Sequence, residues 1–263
     1  MYPELFRIGN FQISSFGLMV ALAFLAAYWV SSYEFKRKGL SENLLGNAFL
    51  AIIIGGIGGA KILYVIENVP ISQLISHPLG YLLSRGGLTF YGGFVGAVIL
   101  LFIVAKKGKT SFWTIADAIS PALALAYAIG RIGCFLVGDD YGIKSNLPWA
   151  ISFPKGLPPT TDRVHPTQLY EVIAMTAVFV ILWKIRKKPA PNGWLFSIYL
   201  ILAGFERFLI EFVRSTTPSP VPHLSVAQVM AIVVIAVGTI KLIQINSLKP
   251  QTQPDISSAK KKR

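Results

Sequence analysis

The 263-residue sequence is 53% hydrophobic and only 14% charged, which excludes an ordinary soluble globular domain. Its net charge of +13 does not indicate a nucleic-acid partner, because the basic residues lie in short runs between apolar segments. The single cysteine, Cys134, excludes an internal disulfide, and the three scattered histidines have no metal-ligand spacing, so we expect no metal and no cofactor. The composition indicates a polytopic protein whose constant partner is the lipid bilayer.

About seven apolar segments are long enough, at roughly 20 residues each, to cross a bilayer as helices. In chain order we predict spans at residues 11–33, 44–66, a third ending at 106, 112–137, 165–184, 194–213 and 224–245. The fold class is therefore all-α, with residues 1–245 forming one transmembrane domain. Residues 138–165 are polar and rich in proline, so we expect a small extramembrane cap. Residues 246–263 are predicted to form a basic, disordered cytoplasmic tail.

The distribution of the 25 Lys and Arg residues predicts the orientation. Most of them fall in alternate loops and in the C-terminal tail, which places the N-terminus on the outer side of the membrane and the C-terminus on the cytoplasmic side. The first apolar segment is too long for the core of a signal peptide, so we expect it to remain as a span. In the second span, Gly55, Gly56, Gly58 and Gly59 permit close contact with another helix.

The most informative stretch is 128–142, where the fourth span passes into polar loop. Arg131 lies there between Gly130 and Gly133, and an arginine inside the hydrocarbon costs about 2.5 kcal/mol or more. The glycines allow a second backbone or a ligand headgroup to come close. Asp139 and Asp140 follow at the same boundary, so this stretch is a candidate site.

Arg207 in the sixth span is the second buried arginine candidate. Two guanidiniums at one depth form a forked donor set that matches a phosphate or a carboxylate. Alternatively, each arginine pairs with a glutamate and holds helices together. Arg207 and Glu211 are four residues apart and share a helix face, and for Glu171, Glu206 and Glu211 pairing and function are both open.

Two further side chains have alternative interpretations. His165 has a reference pKa near neutrality and is a candidate general base, or it caps the following helix. Tyr91 is typical of the aromatic belt at a membrane interface. Cys134 is interpreted as a small buried residue, because no histidine lies near it in sequence.

Residues 130–139 read Gly-Arg-Ile-Gly-Cys-Phe-Leu-Val-Gly-Asp, which resembles the signature Gly-Arg-x-Gly-Asn-Phe-x-Asn-x-Glu of the bacterial prolipoprotein diacylglyceryl transferases. Other motifs occur in that family's order and spacing, and together they cover most of residues 10–245. They are Phe16-Gly-Leu-Met19, Arg85-Gly-Gly-Leu-Thr-Phe-Tyr-Gly-Gly93, Pro148-Trp-Ala150, His165-Pro-Thr-Gln-Leu-Tyr-Glu171 and Arg207-x-x-x-Glu211-Phe-x-Arg214.

The resemblance implies a seven-helix enzyme of the bacterial inner membrane. Such an enzyme moves the diacylglyceryl group of phosphatidylglycerol onto the lipobox cysteine of a preprolipoprotein signal peptide and releases glycerol phosphate. By the same resemblance, Arg131 and Arg207 hold the lipid phosphate and stabilise the leaving group, with Gly130, Gly133, Glu171 and Glu211 around it. The acceptor thiol arrives on the substrate, so Cys134 is not the acceptor.

The sequence also departs from the family pattern. Cys134 and Val137 stand at the two Asn positions, Asp139 stands at the Glu position, and Tyr91 stands where the family often has a histidine. The resemblance leaves Tyr91, His165 and Asp139 as alternative general bases. Two other functions stay open: a family member that binds anionic lipid or prolipoprotein without chemistry, and an anion or lipid transporter.

Overall fold

The computed structural model describes residues 2–8, 11–76, 80–81, 84, 87–214 and 223–247. The predicted tail at 246–263 lies outside these residues, except for its first two positions. Arg85 of the resembling motif also lies outside them. The structural statements below refer to the described part of the chain.

The described chain is mostly helical, and its only sheets are two short hairpins. The helices are α1 (Ser15–Arg37), α2 (Glu42–Asn68), α3 (Ile71–Ser76), α4 (Phe90–Lys107), α5 (Phe112–Val137), α6 (Thr167–Ile185), α7 (Trp194–Ile210) and α8 (Val226–Ser247). All except α3 and α7 are long and apolar enough to cross a membrane. The predicted class, an all-α polytopic membrane protein, is confirmed.

The sixth predicted span, 194–213, corresponds to α7, which is shorter than the six helices that are long enough to cross a membrane. It has 17 residues, or about 25 Å at 1.5 Å per residue, against a hydrocarbon layer of about 30 Å. A 3-10 turn, Glu211–Val213, continues the helix directly. The count of about seven therefore holds only if this short helix and its turn are taken together.

Local chemistry explains where the helices begin and end. Strands β1 (Glu4–Ile8) and β2 (Phe11–Ser14) form an antiparallel hairpin before α1, so the first span begins at Ser15 rather than at residue 11. The Ser14 hydroxyl accepts the Gly17 N–H and caps α1. Helix α5 ends at Val137 because the next residue, Gly138, has a left-handed φ of 77°, a conformation that favours glycine.

Two glycine pairs bring α2 and α4 into backbone contact. A Cβ built on Gly59 would lie 2.2 Å from the Gly92 carbonyl oxygen, and one built on Gly96 would lie 2.2 Å from that of Gly55. No side chain fits at this separation. The close helix contact predicted from the glycine-rich second span is confirmed, and α4 is its partner.

The remaining helices form the main bundle, in which α5 packs against α1 and α6, and α7 packs against α8. The largest core cluster joins α1, α2, α4 and α5 through residues such as Phe35, Leu45 and Ile115. A second cluster joins α5, α6 and α7 around Met175 and Leu182. Because α5 contributes to both clusters, it is the central helix, and the candidate site lies near its end.

The segment between α5 and α6 lies over that end of the bundle. It contains strands β3 (Ile151–Phe153) and β4 (Thr160–Val164), which pair antiparallel and were not predicted. The Arg163 guanidinium donates to the carbonyl oxygens of Leu147, Pro148 and Ala150 and holds the segment in shape. We call the side of the bundle that carries residues 138–165 the cap side.

Candidate functional site

Arg131 projects from the last turns of α5 and contacts three partners on the cap side. Its Nη1 atom lies 2.8 Å from Asp140 Oδ2, and its Nη2 atom lies 2.9 Å from Glu171 Oε1. Nη2 also donates to the Tyr127 hydroxyl at 3.1 Å, one turn earlier on the same helix. The side chain is 14% exposed, so this charge is compensated almost entirely by protein groups.

Glu171, near the start of α6, is the point where the charged groups meet. Its side chain is fully buried, and its Oε1 atom accepts a hydrogen bond from the Tyr127 hydroxyl at 2.9 Å. The same oxygen lies 3.8 Å from Arg207 Nη1 and 3.6 Å from Arg214 Nη1. One carboxylate therefore faces three guanidiniums that come from α5, α7 and the end of the 3-10 turn.

Arg207 forms a second ion pair on its own helix face. Its Nη2 atom lies 2.8 Å from Glu211 Oε2, and Glu211 Oε1 accepts the Ser225 hydroxyl at 2.9 Å. The pairing of arginines with glutamates, one of the two alternatives from the sequence, is thus present in the structure. This pairing does not use every N–H donor of the arginines, so the same guanidiniums still have donors with which to bind a ligand.

Several buried polar atoms of this cluster have no hydrogen-bond partner among the described residues. Buried donors and acceptors are rarely left unpaired, and exceptions indicate strain, a ligand or catalysis. These atoms belong to Glu171 and to charged side chains that interact with it electrostatically. The atoms are Glu171 Oε2, Glu206 Oε1, Arg207 Nη1 and Arg214 Nη1.

The backbone of the two aspartates is fixed by the start of α6. The Thr167 hydroxyl donates to the Asp140 carbonyl oxygen at 2.7 Å, and the Gln168 amide donates to that of Asp139. The Asp140 side chain then bridges two arginines, because its Oδ1 atom lies 2.8 Å from Arg214 Nη2. Asp140 has a left-handed φ of 59°, which aspartate tolerates better than most residues.

The two neighbouring carboxyl groups have opposite pKa shifts. Burial raises the pKa of Asp139, opposed in part by a hydrogen bond from the Cys134 thiol. Burial also acts to raise the pKa of Asp140, but the guanidiniums of Arg214 and Arg131 outweigh it and hold that pKa below its usual range. Asp140 is therefore the firmly ionised member of the pair, and Asp139 binds a proton more readily.

The two glycines beside Arg131 have different surroundings. A Cβ on Gly133 would lie 3.0 Å from the Met19 Cβ and 3.3 Å from the Phe16 ring, so this glycine allows α1 to approach α5. A Cβ on Gly130 would meet nothing within 4 Å. Of the two interpretations made from the sequence, helix contact applies to Gly133, and only Gly130 faces free space.

The side chains of two candidate bases have partners outside the arginine cluster. His165 Nδ1 is 3.2 Å from the Tyr170 hydroxyl, which also accepts the Trp149 indole N–H at 2.7 Å. Tyr91, in the first turn of α4, is 40% exposed, and its ring contacts Phe90. Within the described residues, no hydrogen bond or ion pair joins either side chain to Arg131.

Cys134, Asp139 and Asp140 are close enough to one another to hold a metal ion by distance alone. Both carboxylate oxygens of Asp140, however, are engaged by guanidiniums, and Arg131 Nη1 lies 3.7 Å from the Cys134 sulfur. A divalent cation in contact with Arg131 would be repelled by it. The described residues therefore favour an anion site here.

Three members of the cluster were missed as site residues. Tyr127 is four residues before Arg131, a spacing that places both on one helix face, so the sequence contained a usable signal. Arg214 was named only as the last residue of a resembling motif, and Asp140 only as a neighbour of Asp139. The β-bridge between Gly142 and Arg214, which brings that arginine to the site, has no sequence signal that we can identify.

Comparisons with known proteins match this chain to one family. The model of the family described as prolipoprotein diacylglyceryl transferase matches residues 3–244. A phosphatidylglycerol–prolipoprotein diacylglyceryl transferase from Clostridium tetani is 34% identical, with 90% of this chain and 95% of that protein covered. Proteins of the same name from Bordetella avium (36% identical, 81% of each chain) and Pasteurella multocida (31%, covering 92% and 91%) are also similar. The chain belongs to the prolipoprotein diacylglyceryl transferase family.

Proposed function

We propose that the protein transfers the diacylglyceryl group of phosphatidylglycerol to the lipobox cysteine thiol of a preprolipoprotein. The sulfur attacks the glycerol carbon that carries the phosphate ester, a C–S bond forms, and the C–O bond breaks. Glycerol phosphate departs with the bonding electron pair, and the thiol proton goes to a base. The observation that supports this most is the convergence of Arg131, Arg207 and Arg214 at one depth beside Glu171.

The arginines supply the electrostatic part of the reaction. Negative charge grows on the phosphate oxygens as the C–O bond breaks, and guanidinium donors fixed in place stabilise it without reorganisation. Arg207 Nη1 and Arg214 Nη1 are buried donors without a hydrogen-bond acceptor among the described residues. Glu171 orients the three arginines and offsets part of their mutual repulsion.

Asp139 is the base in this proposal. Its Oδ1 atom is buried without a partner in the described chain, and its raised pKa makes it a better proton acceptor than an ordinary aspartate. It also occupies the position of the glutamate in the resembling signature. His165 and Tyr91 contact other groups, as described above, so neither is assigned this role.

The proposed setting is the inner membrane of a bacterium, with the N-terminus and the cap side in the periplasm. The alternation of basic loops supports this orientation. An acceptor thiol on a translocated signal peptide would then meet the arginine cluster at the outer boundary of the bilayer. Reporter fusions at residue 110 and at the C-terminus, both expected in the cytoplasm, test the orientation.

The direct test is turnover by the purified protein in detergent with phosphatidylglycerol and a lipobox peptide, followed by mass spectrometry. We expect the peptide to gain one diacylglyceryl mass in a thioether and glycerol phosphate to appear in equal amount. A second candidate, a lipid-binding member without chemistry, is motivated by Cys134, Val137 and Asp139 at signature positions. This second candidate predicts that the protein binds phosphatidylglycerol but forms neither lipidated peptide nor glycerol phosphate. The relative from Clostridium tetani serves as the positive control and should form both.

A further inference from the structure

The Asp140 carboxylate forms ion pairs with two arginines of the cluster at once. Its Oδ2 atom lies 2.8 Å from Arg131 Nη1, and its Oδ1 atom lies 2.8 Å from Arg214 Nη2. A phosphodiester, like this carboxylate, has two anionic oxygens on one central atom, and each oxygen can face a different guanidinium. The Asp140 carboxylate therefore has the charge and the spacing to take the place of a lipid phosphate.

The surroundings of Asp140 hold its backbone but leave its ion-paired carboxylate partly exposed to solvent. The Asp140 carbonyl oxygen accepts the Thr167 hydroxyl, and the neighbouring Gly142 N–H donates to His165 O at 2.9 Å. The carboxylate is 44% exposed, whereas the arginines it contacts are 14% and 12% exposed. Rotation about the Cα–Cβ bond can thus carry the carboxylate into solvent without disturbing the arginines.

We propose that Asp140 is an internal competitor for the phosphate of the lipid substrate and that the lipid binds by displacing it from Arg131 and Arg214. The proposal rests on the proposed function of the arginine cluster. Exchange of one anion for another keeps both buried guanidiniums compensated throughout, which avoids the large cost of leaving them unpaired. Asp140 thereby lowers the affinity for anionic headgroups and favours release of the phosphate product.

The competition has a measurable consequence. A ligand that binds only when Asp140 has left shows an apparent affinity reduced by the fraction of molecules in that conformation. Asp140→Asn removes the negative charge with almost no change in volume, so the arginines should accept the lipid more readily. We expect the Kd for phosphatidylglycerol to fall by about fivefold or more.

The experiment uses full-length protein in dodecyl maltoside with dioleoyl phosphatidylglycerol and no peptide acceptor, so that binding is measured without turnover. Asp162→Asn is the matched control, because Asp162 lies in the same cap and forms an exposed ion pair with Lys144 at 2.8 Å. It should leave the Kd unchanged. Asp140→Glu keeps the charge and should bind no tighter than the parent, whereas Asp140→Ser should bind tighter, as Asn does.

Thermal unfolding with and without the lipid separates competition from a merely structural role. The competitor role predicts a lower Tm for Asp140→Asn without lipid and a larger rise in Tm on adding lipid. An unchanged or raised Kd, or no lipid binding by any variant, overturns the inference. The turnover assay decides the proposed function independently: tighter binding without product would leave the inference standing and reject the reaction.

Discussion

Glu171 Oε1 lies 2.9 Å from Arg131 Nη2, and this contact joins the start of α6 to the end of α5 beneath the cap. The glutamate is fully buried and faces two further arginines. Removal of one partner from a buried ion pair typically costs about 3–5 kcal/mol, because the other charge is left uncompensated. The contact therefore supports both the fold and the site.

Glu171→Gln should accordingly lower both stability and turnover. The amide keeps the shape of the side chain but leaves three guanidiniums with one negative charge fewer. We expect a clear fall in Tm in detergent and a loss of lipid transfer. The exposed Glu67, near the end of α2, provides the control Glu67→Gln. Normal Tm and normal transfer in the Glu171 variant would contradict the central role given to this carboxylate.

Arg207→Lys tests whether geometry or charge matters at the second arginine. Lysine keeps the charge but loses the planar fork that reaches Glu211 while directing Nη1 toward Glu171. We expect kcat to fall by about 10²-fold, the usual effect of removing one fixed transition-state donor. Lys144→Gln, on the surface of the cap, should leave kcat unaltered. A lysine variant with parental kcat would show that point charge is sufficient.

Asp139→Asn tests the proposed base. The amide cannot accept the thiol proton, so product formation should fall steeply while phosphatidylglycerol still binds. In the parent protein the rate should decline as the pH drops through the pKa of Asp139, which burial raises above its usual range. Asp139→Glu should retain activity. If the Asn variant turned over normally, His165→Gln and Tyr91→Phe would be the next variants to compare.

The pH dependence of stability should report on Asp140. The guanidiniums of Arg214 and Arg131 hold the pKa of folded Asp140 below its usual range. Its ionisation therefore stabilises the fold above the unfolded pKa, and this contribution disappears as the pH falls through the folded value. The difference in unfolding free energy between the parent and Asp140→Asn should be constant from neutral pH down to about pH 5 and shrink below about pH 4. A difference that is independent of pH would argue against an ionised Asp140.

Gly59→Ala tests the contact between α2 and α4. Its Cβ would lie 2.2 Å from the Gly92 carbonyl oxygen, so the helices must separate, at a typical overpacking cost of about 1–3 kcal/mol. Gly58→Ala is the matched control on the same helix, because its Cβ would meet nothing within 4 Å. That control should be neutral or gain about 0.5–1 kcal/mol of helix stability. Equal Tm values for the two variants would refute the role of the glycine contact.

The membrane class, the approximate spans and the proximity of Arg131 and Arg207 were predictable from the sequence. Inside a membrane, a long apolar segment must satisfy its backbone hydrogen bonds internally, so it forms a helix regardless of the rest of the chain. A buried arginine is costly, so its presence alone marks a candidate site. The glycine spacing in the second span likewise indicated a close helix neighbour, because only small residues allow backbone contact.

The partners of these residues were decided by tertiary structure alone. Nothing in the local sequence pairs Asp140 with Arg214, since that contact depends on a bridge between the cap and the end of the 3-10 turn. Glu171 meets three arginines only because α5, α6 and α7 end or begin at the same depth. The sequence by itself determined which charged side chains are so costly to bury that they mark a candidate site. Only the packing of helices distant in the chain decided how their charges are compensated and which of their donors have no hydrogen-bond acceptor among the described residues.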